Sequence, residues 1–198
     1  MTAATLRILH EEHAALAAML RSILLLLAQA TRERTAPDFG ALRSMLFYVD
    51  EFPEKRHHHK ESTLLFPKLR ERTAEAGELL DRLDQDHAKG EEAIRSLEHA
   101  LLAYEMMGEA RRAAFDQAAH RYVEFYMTHM RLEEEQILPL AERVLTAEDW
   151  AELDAAFGAN RDPLTGHPPE AEYQALFSRI ANAVPAPIGL GPAARHAA

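Results

Sequence analysis

The sequence predicts an all-α protein, an up-down-up-down bundle of four helices with a short C-terminal helical extension. Three observations carry this. Apolar residues recur at intervals of three and four through four long stretches. Up to Asn160 the chain is rich in Ala, Leu, Glu and Arg, which lose little in a helix, while Val and Ile are sparse. The chain also echoes itself: His57, Glu61 and Pro67 return with the same spacing as His129, Glu133 and Pro139, and His13 returns as His87 at nearly the same offset. Such a repeat reads as a duplicated helical hairpin, and two hairpins make a bundle.

The first helix is expected from Thr5 to about Arg32, with Leu6, Leu9, His13, Leu16, Leu20, Ile23, Leu24 and Leu27 on its stripe. Thr35 to Asp38 reads as a loop, with Asp38 as N-cap of the second helix. That helix should run from Phe39 to Arg72 as one bent rod, loosened at Pro53 and again at Pro67. A turn at 73–77 leads to the third helix, from Glu78 to Met107, which Gly108 ends. The fourth covers Ala110 to Leu145. Thr146 opens a capping box with Asp149 for a short helix whose Trp150, Leu153 and Phe157 should pack on the bundle. Another short helix, Glu170 to Val184, carries Tyr173, Leu176, Phe177 and Ile180 on one face. Residues 1–146 are thus expected as the bundle, 147–184 as an extension packed on it, and 185–198, made of Pro, Gly and Ala, as a flexible tail.

The net charge of −10 argues against nucleic acid or an anionic membrane as the main partner. The greasiest run, Leu24 to Leu27, is too short to span a bilayer, and the stretch around it, Met19 to Ala30, is interrupted by Arg21 and Ser22. No signal peptide is recognisable, so a cytoplasmic location is expected. With no Cys, any metal must be held by nitrogen and oxygen.

Seven polar residues fall on apolar stripes: His13, His57, Glu61, His87, Glu91, His129 and Glu133. A lone stripe His is more often a hydrogen-bonded core residue than a ligand. Here every helix of the bundle carries one. Residues four apart share a helix face, about 6 Å along the axis, so each His-x-x-x-Glu aims a ring and a carboxylate at one point. That much buried charge would cost several kcal/mol per group if left unpaired. A pair of cations removes the cost. Imidazole with carboxylate suits Fe, Mn or Zn, and two facing His-x-x-x-Glu helices make Glu61 and Glu133 natural bridges between two metals. A carboxylate-bridged pair in a four-helix bundle is similar to the di-iron class, so two Fe ions are expected.

His13, the run His57-His58-x-Lys60-Glu61 with Leu65-Phe66-Pro67, His87, and His129-x-x-x-Glu133 with Pro139 together resemble the hemerythrin family, in its bacterial HHE cation-binding branch. The resemblance covers residues 5–145. It implies an oxo- or hydroxo-bridged non-haem di-iron centre. It also implies reversible O₂ binding, as in the oxygen carriers, or sensing and handling of iron, oxygen or nitric oxide. Carried over by motif, one iron takes His13 and His57, and the other takes His87 and His129 with Glu91 completing it. The carriers have a second His where this chain has Glu91, and they space the fourth-helix pair one residue wider. Both departures make the site more anionic and weaken the inference to oxygen carriage.

The position matching Glu91 on the first helix is Ala17, so the His13/His57 iron is expected to keep an open position for O₂, NO or peroxide. His58 and His59 are expected to turn away from the site, about 100° and 200° round the helix. His10 and Asp84 are either orienting partners of the ligand histidines or solvated. Tyr126 reads as core, and Gly90 as room beside the site or a close helix contact. The functional expectation is a di-iron sensor, scavenger or store. The alternatives are a peroxide-using or other oxidative enzyme, or a metal-stabilised regulatory protein whose extension mediates a homodimer or docks a protein partner.

Overall fold

The structure, a computed structural model, describes residues 3–183. The expected tail, 185–198, and Val184 lie outside them. Among the described residues the fold is all-α, with no strand. Helix α1 spans Ala4–Glu33. Helix α2 runs from 39 to 72, and its backbone stays right-handed helical throughout. Helix α3 spans Gly77–Met107 and ends where Gly108 takes φ 72°. A tight turn, Gly108–Arg111, replaces the expected first residues of helix α4, which runs from 112 to 144. Each long helix packs beside the next, and α4 returns to α1, so the four close into a ring.

The prolines deform α2 and α4 in matching ways. A helical Pro has no N–H for the carbonyl four residues back, and its ring crowds that carbonyl. A π turn, bonded to the fifth residue back, relieves both problems. Glu61–Leu65 is such a turn just before Pro67, and Glu133–Ile137 is its counterpart before Pro139. A third wide segment, Asp50–His57, accommodates Pro53. The bends anticipated from proline are therefore local widenings within rods that remain continuous.

Two apolar clusters fill the ring. One gathers Leu6, Leu9, Phe66, Leu83 and Ile137, and the other gathers Leu16, Met45, Phe52, Ile94 and Tyr126. Burying each large side chain contributes roughly 1.5–3 kcal/mol. Between the clusters, every helix places its stripe histidine: His13 after Leu9, His57 after Phe52, His87 after Leu83 and His129 after Tyr126. The polar layer is thus sealed from both ends.

Helix α5, Ala147–Gly158, starts with the expected capping box between Thr146 and Asp149. Its Leu153 and Phe157 are buried, with Trp150 partly so. It also supplies what α1 lacks. No side chain of α1 caps its own N-terminus, but Asp154 accepts the Thr5 N–H at 2.7 Å and the Thr5 hydroxyl at 2.6 Å. Helix α6, Gln174–Ala183, lies on α2, where Phe177 meets Tyr48 and Phe52 edge-on. Helix α1 taken whole is long and apolar enough to cross a membrane, unlike its 19–30 segment alone. In this fold its apolar face is committed to the two clusters and it carries His13.

Candidate metal centre

Six of the seven expected residues meet between the clusters. Nε2 of His13 lies 3.3 Å from Glu133 and 3.9 Å from Glu61. Nε2 of His57 lies 3.4 Å from Glu61. On the other side, Nε2 of His87 is 3.5 Å from Glu61 and 3.7 Å from Glu133, and Nε2 of His129 is 3.2 Å from Glu133. The two carboxylates stand between the two pairs of rings. None of their four oxygens has a hydrogen-bond partner, nor do Nε2 of His13 and His57, although all are buried. Nε2 of His87 and of His129 approach to 3.0 Å, where at most one of them can donate. Buried polar groups are almost always paired. A cation among these atoms satisfies carboxylate oxygens and imidazole nitrogens together, so the donor set fits metal.

Glu91 is not among them, which corrects the expectation that it completes the His87/His129 position. Its side chain is 50% exposed and lies 3.4 Å from Arg95. The inward line of α3 runs Leu83, His87, Gly90, Ile94 and Leu97, so Glu91 falls beside it. The space one turn beyond His87 is already taken: a Cβ on Gly90 would sit 1.6 Å from the Tyr126 hydroxyl oxygen. Gly90 is there for Tyr126.

His58 takes the place that Glu91 leaves. It is 3% exposed, and it forms a potential ligand group with Glu61, His87 and His129. His13, His57 and Glu61 form a second such group. In a regular α-helix His58 would point about 100° away from His57. The π-wound segment ending at His57 has more residues per turn, hence a smaller angle between neighbours, and both rings face inward. The ring of His58 stacks between His87 and Tyr126, at 4.4 and 5.2 Å. A signal existed in the sequence, namely Pro53 one turn before two adjacent histidines. His59 is exposed, as expected.

A second layer fixes the rings. The Nδ1 atoms of His57, His13 and His58 lie 2.8, 3.1 and 3.2 Å from carboxylate oxygens of Glu12, Glu134 and Glu54. Nδ1 of His87 is 2.8 Å from the Ser62 hydroxyl, and Asp86 is the nearest acid to Nδ1 of His129, at 4.0 Å. With Nδ1 engaged, Nε2 is left free to face the centre. The supports run round the ring: α1 holds the His of α2, α2 that of α3, α3 approaches that of α4, and α4 holds that of α1. They also obey the duplication. Glu12 immediately precedes His13 as Asp86 precedes His87, and Ser62 follows Glu61 as Glu134 follows Glu133. His10 and Asp84, expected either to orient the ligand histidines or to be solvated, are not among these supports. His10 is 3.6 Å from Glu134, and Asp84 pairs with Arg70 at 2.9 Å.

Charge follows this layout. Burial opposes a charge on His13, but Glu133 and Glu134 outweigh it and lift the pKa to about 9. For His57 burial is likewise outweighed, by Glu61 and Glu12, and the pKa rises well above the usual value. His58 moves the other way, because burial and the neighbouring rings of His87 and His129 both disfavour its cation. Burial pushes Glu54 up to about 7, against the Tyr122 hydroxyl that donates to it at 2.5 Å.

Residues 4–141 match the family model of the hemerythrin HHE cation-binding domain. The chain belongs to that family. No curated protein matches it. The hemerythrin HHE match ends before α5, so the whole of the described C-terminal extension lies beyond it. Within the matched region are all the residues of both potential ligand groups.

Proposed function

We propose that this hemerythrin-family chain is a non-haem di-iron protein that binds O₂, NO or peroxide as a sensor, scavenger or store. The observation that carries the reading is the sharing of Glu61 between two ligand groups whose carboxylate oxygens find no other partner. His13 and His57 would hold one iron, and His58, His87 and His129 the other, with Glu61 and Glu133 between them. The iron pair would supply Lewis acidity and one-electron redox capacity. The protein's part is to keep Nε2 of each ring forward and the layer dry. The His13/His57 group has fewer side chains than the other, which supports that side as the one left open to an external ligand. Ala17 gives no such support, because Glu91, the residue at the matching position, stays outside the centre. The reading takes the four helices as an up-down-up-down bundle, as short connections between adjacent helices favour.

Metal analysis and an optical spectrum of protein purified in air test the proposal. Two irons per chain with near-ultraviolet charge-transfer absorption that changes on adding azide are expected. A well-folded protein that takes up no iron sinks it.

A further inference from the structure

The C-terminal extension reaches the centre through Glu12. One oxygen of Glu12 is 2.8 Å from Nδ1 of His57. The other is 3.4 Å from the backbone N–H of Asp162 and 3.7 Å from Nε of Arg161. Nε of Arg161 is buried and has no hydrogen-bond partner, while its Nη2 donates to Glu11 at 2.6 Å. The segment is itself fixed in place. Asp162 is buried, accepts the Tyr48 hydroxyl and accepts the Leu164 N–H at 2.8 Å. Lys60, beside Glu61, donates to the Ala159 carbonyl at 2.9 Å.

A buried carboxylate needs donors to remain charged. Apart from Arg161 and Asp162, Glu12 has the His57 ring as a hydrogen-bond partner and the Lys60 ammonium as a nearby positive charge. We propose that Arg161 and Asp162, outside the family domain, are positioning residues for the metal at His57. They hold Glu12 by one oxygen so that the other locks the His57 ring with Nε2 toward the centre. The metal half of this inference rests on the di-metal reading above. The hydrogen-bond half does not. Glu54 is held in a comparable way, accepting the Tyr122 hydroxyl at 2.5 Å through one oxygen while the other lies 3.2 Å from Nδ1 of His58, but its holder lies inside the family domain; Glu134 is 40% exposed and Ser62 is neutral.

The test uses the full chain with Arg161→Met, which keeps the stem and removes the positive charge, and Glu12→Gln, which is nearly isosteric. Asp154→Ala is the control, since it cuts an extension contact to Thr5 without touching Glu12. In metal-free protein, ¹⁵N-histidine NMR should show an exchange-protected Nδ1–H on His57 in wild type and control, and lose it in both variants. In protein loaded anaerobically with Fe²⁺, chelator competition should show one of the two metals bound about tenfold or more weakly in both variants, within the roughly 10–100-fold range of such supports. A wild-type His57 signal and wild-type iron release in Arg161→Met, with Glu12→Gln altered, would overturn the clamp. Loss of the His57 signal in a protein that binds no metal would instead overturn the di-iron reading and leave the hydrogen-bond role standing.

Discussion

His13 and His57 each have a carboxylate behind the ring, whereas His87 has a serine hydroxyl and His129 has nothing nearer than Asp86 at 4.0 Å. The second pair gains His58 instead, a ring held by Glu54 and disfavoured as a cation. The two halves repeat one sequence pattern, yet their surroundings differ. An anionic support makes an imidazole a more basic donor. The His13/His57 half is therefore built from fewer rings, each backed by a carboxylate, and the His87/His129 half from more rings, of which only His58 is so backed. A duplicated ligand pattern need not give two equivalent metals.

Glu61 belongs to both halves, so replacing it should have the largest effect. Glu61→Ala is expected to empty both positions, leaving well under one metal per chain by elemental analysis. Retention of one full equivalent would mean that the halves bind independently. Gly90→Ala should act next, through packing beside the second half. The added methyl meets Tyr126, and overpacking of this kind costs about 1–3 kcal/mol. That exceeds the ~1 kcal/mol that Ala gains over Gly in a helix. Thermal unfolding should show the loss, and adding Tyr126→Phe should recover part of it.

His58→Ala and Glu91→Ala separate the corrected site from the expected one. The first should weaken one of the two metals by about tenfold or more, on the scale of lost metal-site supports, while Glu91→Ala leaves metal binding at the wild-type level. The reverse result, read by competition with a chelator, would restore Glu91. The smallest effect concerns pH and the first half. In metal-free protein His13 has its pKa raised from 6.5 to about 9. A raised histidine pKa stabilises the fold fully below the unfolded value and loses that contribution as pH rises through the folded one. The melting temperature of metal-free protein should thus fall between about pH 6.5 and 9. Metal-loaded protein should show no such fall, because metal displaces the proton.

The bundle was legible because its stripes are long and strongly periodic, and because Asp38, Gly108 and Thr146 punctuate them with residues suited to caps. The core of the site was legible because charge on an apolar stripe is anomalous unless something compensates it. Glu91 misled because four residues is also close to a full turn at the edge of the stripe, and only packing shows that Tyr126 occupies the adjoining space. His58 was missed because regular helix geometry was assumed where proline had widened the turn.

By itself the sequence determined the four helices, the caps at Asp38 and Gly108 and six of the residues that converge, since periodicity and residue chemistry act along one chain segment at a time. Tertiary structure decided which side of each turn faces the centre, which neighbour steadies each ring, and that the distant Arg161–Asp162 segment reaches Glu12. Those outcomes depend on what an adjacent helix places in the same few ångströms, and no local pattern carries that information.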